Sequence, residues 1–310
     1  TGCRSSAASD VYKRQIMLRT LAAILAIICL TALAEDAPDY HRKGDLEPLQ
    51  EPALRATLRE ALCDLDLCGL VDEDQLAVAL VLMNDSDDVR LAMFNGHRMM
   101  YAASLPKVAI LLGAMVASQR GDLTIDDALA DDIQQMIRVS CNPCATRVLA
   151  RIGRERLLDI LREPEFDFYD ETRSGGLWVG KDYAADDAYL RDPVAGLSHG
   201  ATAYQVARLY YRLETGNLLD EKHTALMLSA LADPAIEHKF VSGLAGYEDL
   251  SLWRKSGTWQ DFHADSVLVK GSGVTYILVG LVNSPDGDAI LQSLAARLHP
   301  TVQRVGDGPS

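Results

Sequence analysis

Residues 250–282 read LSLWRKSGTWQDFHADSVLVKGSGVTYILVGLV, three apolar-rich runs (Leu250 to Trp259, His263 to Val269, Thr275 to Val282) parted by short polar or glycine-containing breaks. Runs of this length, rich in aromatic and β-branched residues and bounded by turn formers, predict strands. A second pair stands far upstream, where LAVALVLM (Leu76 to Met83) and VRLAMF (Val89 to Phe94) flank the turn-forming cluster Asn84-Asp85-Ser86-Asp87-Asp88. The period between these outer segments is helical, at Ile133 to Val139, Ala145 to Ile152, Arg154 to Leu161, Ala203 to Leu213 and Lys222 to Leu231. Strands at both ends of a helical middle predict an α/β (α+β) fold. One antiparallel sheet is built from N- and C-terminal segments and flanked by helices, an all-helical lobe is inserted, and a cleft lies between the lobes.

Three further helices frame the sheet. Pro52 to Leu67 carries leucines at 54, 58, 62 and 65, and Ala289 to Leu298 closes the fold. From Ser104, LPKVAILLGAMVASQRG is apolar all round and stops at Gly121, which predicts a buried helix with a glycine cap and with Pro106 in its first turn. Residues Glu163 to Gly200, with Pro164, Gly175-Gly176, Gly180, Pro193 and Gly196, read as an extended loop of the kind that carries function.

The chain has 310 residues, 48% hydrophobic and 24% charged, enough to bury a core, which excludes intrinsic disorder. A formal charge of −14 repels phosphate backbones and excludes nucleic acid as a partner. Met17 to Ala34, MLRTLAAILAIICLTALA, has a basic start, an apolar run and a small-residue ending, the layout of a signal peptide cleaved after Ala34. The run is too short to span a bilayer, so the expectation is a periplasmic or secreted monomer without a membrane span. Residues 1–16 read as a non-native leader, since Asp10 to Gln15 look like translated adapter DNA, and residues 35–310 as one catalytic domain. Its α/β lobe covers about 50–121 and 250–310, its helical lobe about 122–249. Export permits disulfides among Cys63, Cys68, Cys141 and Cys144, leaving two local bridges, cross-pairing and free thiols open.

Three short motifs carry chemistry. Ser104-Leu105-Pro106-Lys107 sets a hydroxyl and an amine one helical turn apart on one face, and a lysine serves as base when burial and nearby positive charge keep its amine partly neutral. Ser140-Cys141-Asn142 follows a predicted helix, and Lys255-Ser256-Gly257-Thr258 lies in a predicted strand where Gly257 admits close backbone approach.

Together, and in this order, the motifs resemble those of the serine β-lactamase and penicillin-binding protein superfamily, with a lobe order most like class A β-lactamases. The resemblance covers about Leu76 to Leu298. It implies Ser104 as the acylated nucleophile, Lys107 as base, Ser140 as proton relay to the leaving nitrogen, and Asn142 as a ligand of Lys107 and of the substrate amide. It further implies Lys255 and Ser256 as carboxylate ligands, and the N–H groups of Ser104 and Thr258, beside Gly257, as the oxyanion site. Cys141 and Ser256 depart from the residues usual at their positions. The Glu-x-x-Leu-Asn stretch that serves deacylation in class A is missing, and Asp187 in Asp187-Ala188-Tyr189-Leu190-Arg191 is its nearest match, ahead of Glu165 and Glu171.

The resemblance implies no metal or organic cofactor, and a small-molecule β-lactam or peptidoglycan peptide as substrate. The alternatives are a D-alanyl-D-alanine peptidase, another amidase or esterase, or a sensor that acylates without turnover. Beyond the motifs, His263 and Asp265 share a strand face without an evident third metal ligand. His199 and His238-Lys239-Phe240 either line the cleft or cap helices, and Trp178 and Trp259 form a substrate wall or pack in the core.

Overall fold

The computed structural model describes residues 44–85, 88–271 and 273–306; the leader and signal segments expected over 1–34 lie outside them. The first helix, α1 (Pro52–Asp64), begins where the Glu51 carboxylate accepts from the Ala53 and Leu54 N–H groups and Pro52 fills the first turn. A Cys63–Cys68 disulfide ties its end to α2 (Cys68–Asp72). Strands β1 (Leu76–Asp85) and β2 (Asp88–Phe94) follow, and the short β3 (Met100–Tyr101) leads into the turn holding Ser104. Helix α3 (Lys107–Gln119) is buried at every residue from Lys107 to Ala117, as its all-round apolar sequence requires.

Three amphipathic helices come next: α4 (Asp127–Arg138), α5 (Asn142–Ile152) and α6 (Arg154–Arg162). The stretch expected as one extended loop is instead pinned by two-residue ladders, too short to leave a sequence period. In it β4 (Tyr169–Asp170) pairs with β5 (Gly175–Gly176), while β6 (Trp178–Val179) and β3 flank β7 (His199–Ala201). Helices α7 (Ala203–Glu214), α8 (Glu221–Leu231) and α9 (Phe240–Leu244) lead to β8 (Ser251–Trp259), β9 (Phe262–Gly271), β10 (Val274–Asn283) and α10 (Gly287–Gly306). The last helix runs past the expected end at Leu298 and through Pro300, where the Thr301 hydroxyl donates to the Arg297 carbonyl.

The five-stranded sheet has the order β2-β1-β10-β9-β8, antiparallel throughout, so β8 is an edge. Alternation divides its side chains between two cores. Ala77, Ala79 and Val81 of β1, with Ile277, Val279 and Leu281 of β10, face α3 and the helical lobe. Val78, Leu80 and Leu82, with Tyr276 and Leu278, face α1 and α10. Burial of both faces explains why these strands read as unbroken apolar runs.

A buried ion pair locks β8 to β9. Arg254 Nε and Nη2 donate to the two Asp265 oxygens at 2.7 and 2.8 Å, and the N–H groups of Phe240 and Ser266 donate to the same carboxylate. Asp265 is thereby committed to holding the sheet and the start of α9 together, rather than to a site with His263.

Candidate active site

The three motifs converge where the start of α3 meets the edge strand β8. Ser104 opens onto a cleft of about 500 Å³, lined also by Tyr101, Asn142, Tyr183, His199, Thr258 and Trp259. Among the described residues none hydrogen-bonds the Ser104 hydroxyl. The Lys107 N–H donates to the Ser104 carbonyl at 3.2 Å, closing the turn that stacks the two side chains.

Lys107 is fully buried, with Nζ 2.6 Å from the Ser140 carbonyl, 3.2 Å from Ser140 Oγ and 2.7 Å from Asn142 Oδ1. Burial lowers its pKa to about 7. An ammonium donates to all three oxygens; a neutral amine donates to two and accepts from a hydroxyl, so the cage suits both protonation states. Lys255, also buried, donates to Ser140 Oγ at 3.0 Å and to the Ser256 carbonyl at 2.7 Å. Burial first, then repulsion from Lys107, pushes its pKa well down. Ser140 Oγ thus bridges two amines and can pass a proton between them.

The turn that presents Ser140 and Asn142 is held by a sulfur cap and a disulfide. Ser140 adopts φ 59°, Cys141 caps α5 by accepting the Cys144 N–H on its sulfur, and a Cys141–Cys144 disulfide closes the first turn. Both cysteine pairings are local.

Gly257 brings β8 against the Ser104 turn. A Cβ there would stand 2.2 Å from the Ala102 carbonyl oxygen and 2.7 Å from the Ser104 nitrogen. Gly257→Ala is therefore expected to push β8 off the Ser104 turn and slow covalent labelling of Ser104 roughly a hundredfold. Labelling kinetics, with thermal melting to confirm folding, check this; an unchanged rate would contradict it.

The deacylation acid expected at Asp187 is not placed in the cleft. Asp187 is exposed and outside the cleft lining; Glu165 and Glu171 are exposed as well, Glu165 facing Arg120. Asp182 reaches the lining but its carboxylate is taken by Arg154. The side chain over Lys107 is Tyr183, whose ring centroid lies 4.5 Å from Nζ and whose hydroxyl donates to the Ala103 carbonyl at 3.2 Å. Among the described residues no carboxylate hydrogen-bonds Lys107 or Ser104.

The remaining residues divide. His199 stacks on Tyr183 with centroids 4.3 Å apart, and burial lowers its pKa to about 4, leaving it neutral with Nε2 against the Lys181 carbonyl. Trp178 is core, whereas Trp259 is 57% exposed on the cleft rim. Sequence reasoning gave no role to Tyr183, and left His238 between lining the cleft and capping a helix; it spans from Asp288 (2.9 Å) to Ser256 Oγ (3.3 Å). Neither sits in a recognisable spacing.

Residues 128–302 match the Beta-lactamase enzyme family, a span that includes Ser140, Asn142 and Lys255–Thr258 and begins after Lys107. A comparison with curated proteins found no match. Among solved structures, a beta-lactamase from Sphaerobacter thermophilus is 14% identical with TM-score 0.62, over 80% of this chain and 97% of that one. PBP-A is 15% identical with TM-score 0.61 over 82% and 97%, and a beta lactamase from Xanthomonas campestris pv. campestris is 15% identical with TM-score 0.62 over 79% and 97%. At these identities the likeness is one of fold. With the family match covering more than half its length, the chain belongs to the beta-lactamase enzyme family and is a serine β-lactamase-like hydrolase.

Proposed function

We propose that the protein is an exported hydrolase that acylates Ser104 with a β-lactam, or with a related amide bearing a nearby carboxylate. The observation that carries this is the buried Lys107 amine, one turn from Ser104 and caged by Ser140 and Asn142. As Ser104 Oγ attacks the carbonyl carbon, neutral Lys107 takes its proton, and the C–N bond then breaks as Ser140 protonates the leaving nitrogen. Ser140 recovers a proton from the amines it bridges. The Ser104 and Thr258 N–H groups hold the oxyanion. Lys255 and Ser256 hold the substrate carboxylate, with His238 behind Ser256. The two disulfides support export to an oxidising compartment.

Tyr183 over Lys107, where a carboxylate would serve a deacylating water, favours slow release of the acyl group. That geometry suits a D-alanyl-D-alanine peptidase or a non-turnover sensor better than a fast β-lactamase. The test is the lifetime of a penicillin adduct against the rate at which it forms: formation is expected to outrun decay, and steady turnover without an accumulated adduct would favour the β-lactamase reading.

A further inference from the structure

Lys107, Lys239 and Lys255 are all fully buried, which is rare for lysines. Two of them meet at Ser140, and the third has no part in the chemistry so far. Lys239 precedes α9 with φ 55° and ψ −121°, a conformation that strains a residue with a Cβ and that persists only where the surroundings enforce it. Its Nζ lies 2.6 Å from the Gly257 carbonyl oxygen, 2.7 Å from Thr258 Oγ1 and 3.3 Å from the Ala264 carbonyl oxygen, so each ammonium proton has an acceptor. Burial lowers its pKa to about 8, opposed by the Asp265 carboxylate, which leaves it mainly charged at neutral pH.

The Gly257 carbonyl and the Thr258 N–H are two ends of one peptide group. In a trans peptide they point in opposite directions, so a carbonyl turned toward Lys239 turns the N–H away from it. Because Nζ also meets the Ala264 carbonyl of β9, the other side is the free edge of β8, where Thr258 and Ser104 line one cleft. A cation on the carbonyl also draws electron density from the nitrogen, which makes its N–H a stronger donor.

We propose that Lys239 is a positioning residue for the oxyanion site: by holding and polarising the Gly257–Thr258 peptide it aims and strengthens the Thr258 N–H for the carbonyl oxygen of the substrate on Ser104. This rests on the acylation reading above. Lys239 does not touch the substrate and acts through the peptide alone.

The test is infrared difference spectroscopy of the acyl-enzyme formed with carbonyl-labelled benzylpenicillin, alongside stopped-flow acylation rates, in wild type, Lys239→Met and Lys239→Gln. A stronger oxyanion donor lowers the acyl carbonyl stretch. Lys239→Met is expected to raise its wavenumber and slow acylation roughly tenfold or more, with noncovalent affinity little changed. Lys239→Gln, which keeps a neutral donor, is expected to fall between and carries the test should the methionine variant not fold. A carbonyl band unmoved in a folded variant overturns the proposal, whatever happens to melting temperature. An acyl band missing from wild type overturns the acylation reading itself, and is distinguished by needing no variant.

Discussion

Lys107→Met is expected to slow acylation of Ser104 by roughly 10²- to 10⁴-fold, the range that a positioned general base supplies. Methionine fills most of the space of the buried lysine stem without an ionisable group, so the packing of α3 against the helical lobe is retained. The amine is the only group of the Lys107 side chain that can accept a proton, and its pKa of about 7 gives the wild type a signature. The ammonium cannot act as base, so the wild-type acylation rate is expected to rise as pH is raised through about 7. That rising limb should vanish in Lys107→Met. Stopped-flow acylation with a chromogenic cephalosporin between pH 5 and pH 9 measures both effects; a loss below tenfold, or a limb that survives the substitution, would remove Lys107 from the role of base.

The second large effect concerns stability. Arg254→Met strands the Asp265 carboxylate in the core with two backbone N–H donors and no guanidinium, and a broken buried pair costs about 3–5 kcal/mol. For a chain of this size the melting temperature should fall by on the order of 10 °C. Arg254→Met combined with Asp265→Leu should recover part of the loss, because no charge is then stranded, although the Phe240 and Ser266 N–H groups lose an acceptor. Calorimetry on the single and double variants separates the cases. A double variant no more stable than the single one would mean that the cost lies in the lost N–H acceptor rather than in the charge.

What could be read beforehand was whatever period or fixed spacing records. The strands at 76–94 and 250–282 show as apolar runs because both faces of the sheet are buried, and α3 shows because it is apolar all round. Ser104 and Lys107, three apart, had to share a helical face, and Gly257 had to be small where β8 meets the Ser104 turn. Tyr183 and Lys239 leave no such trace. Tyr183 reaches Lys107 through a stretch pinned by two-residue ladders, and Lys239 through a single positive-φ residue, so both are products of tertiary packing. Asp187 was chosen by likeness to a motif rather than by contact, and the chain folds with that acid turned to solvent. Trp178 and Trp259 are equally apolar in sequence, and only the path of the backbone makes one core and the other rim.

The most direct measurement is the intact mass of wild type and of Ser104→Ala, each mixed with benzylpenicillin and followed over time. The wild type should gain the mass of one penicillin per chain, fully and with slow loss, while Ser104→Ala gains none. An unmodified wild type with intact penicillin, or the same adduct on both proteins, would contradict Ser104 as the acylated nucleophile.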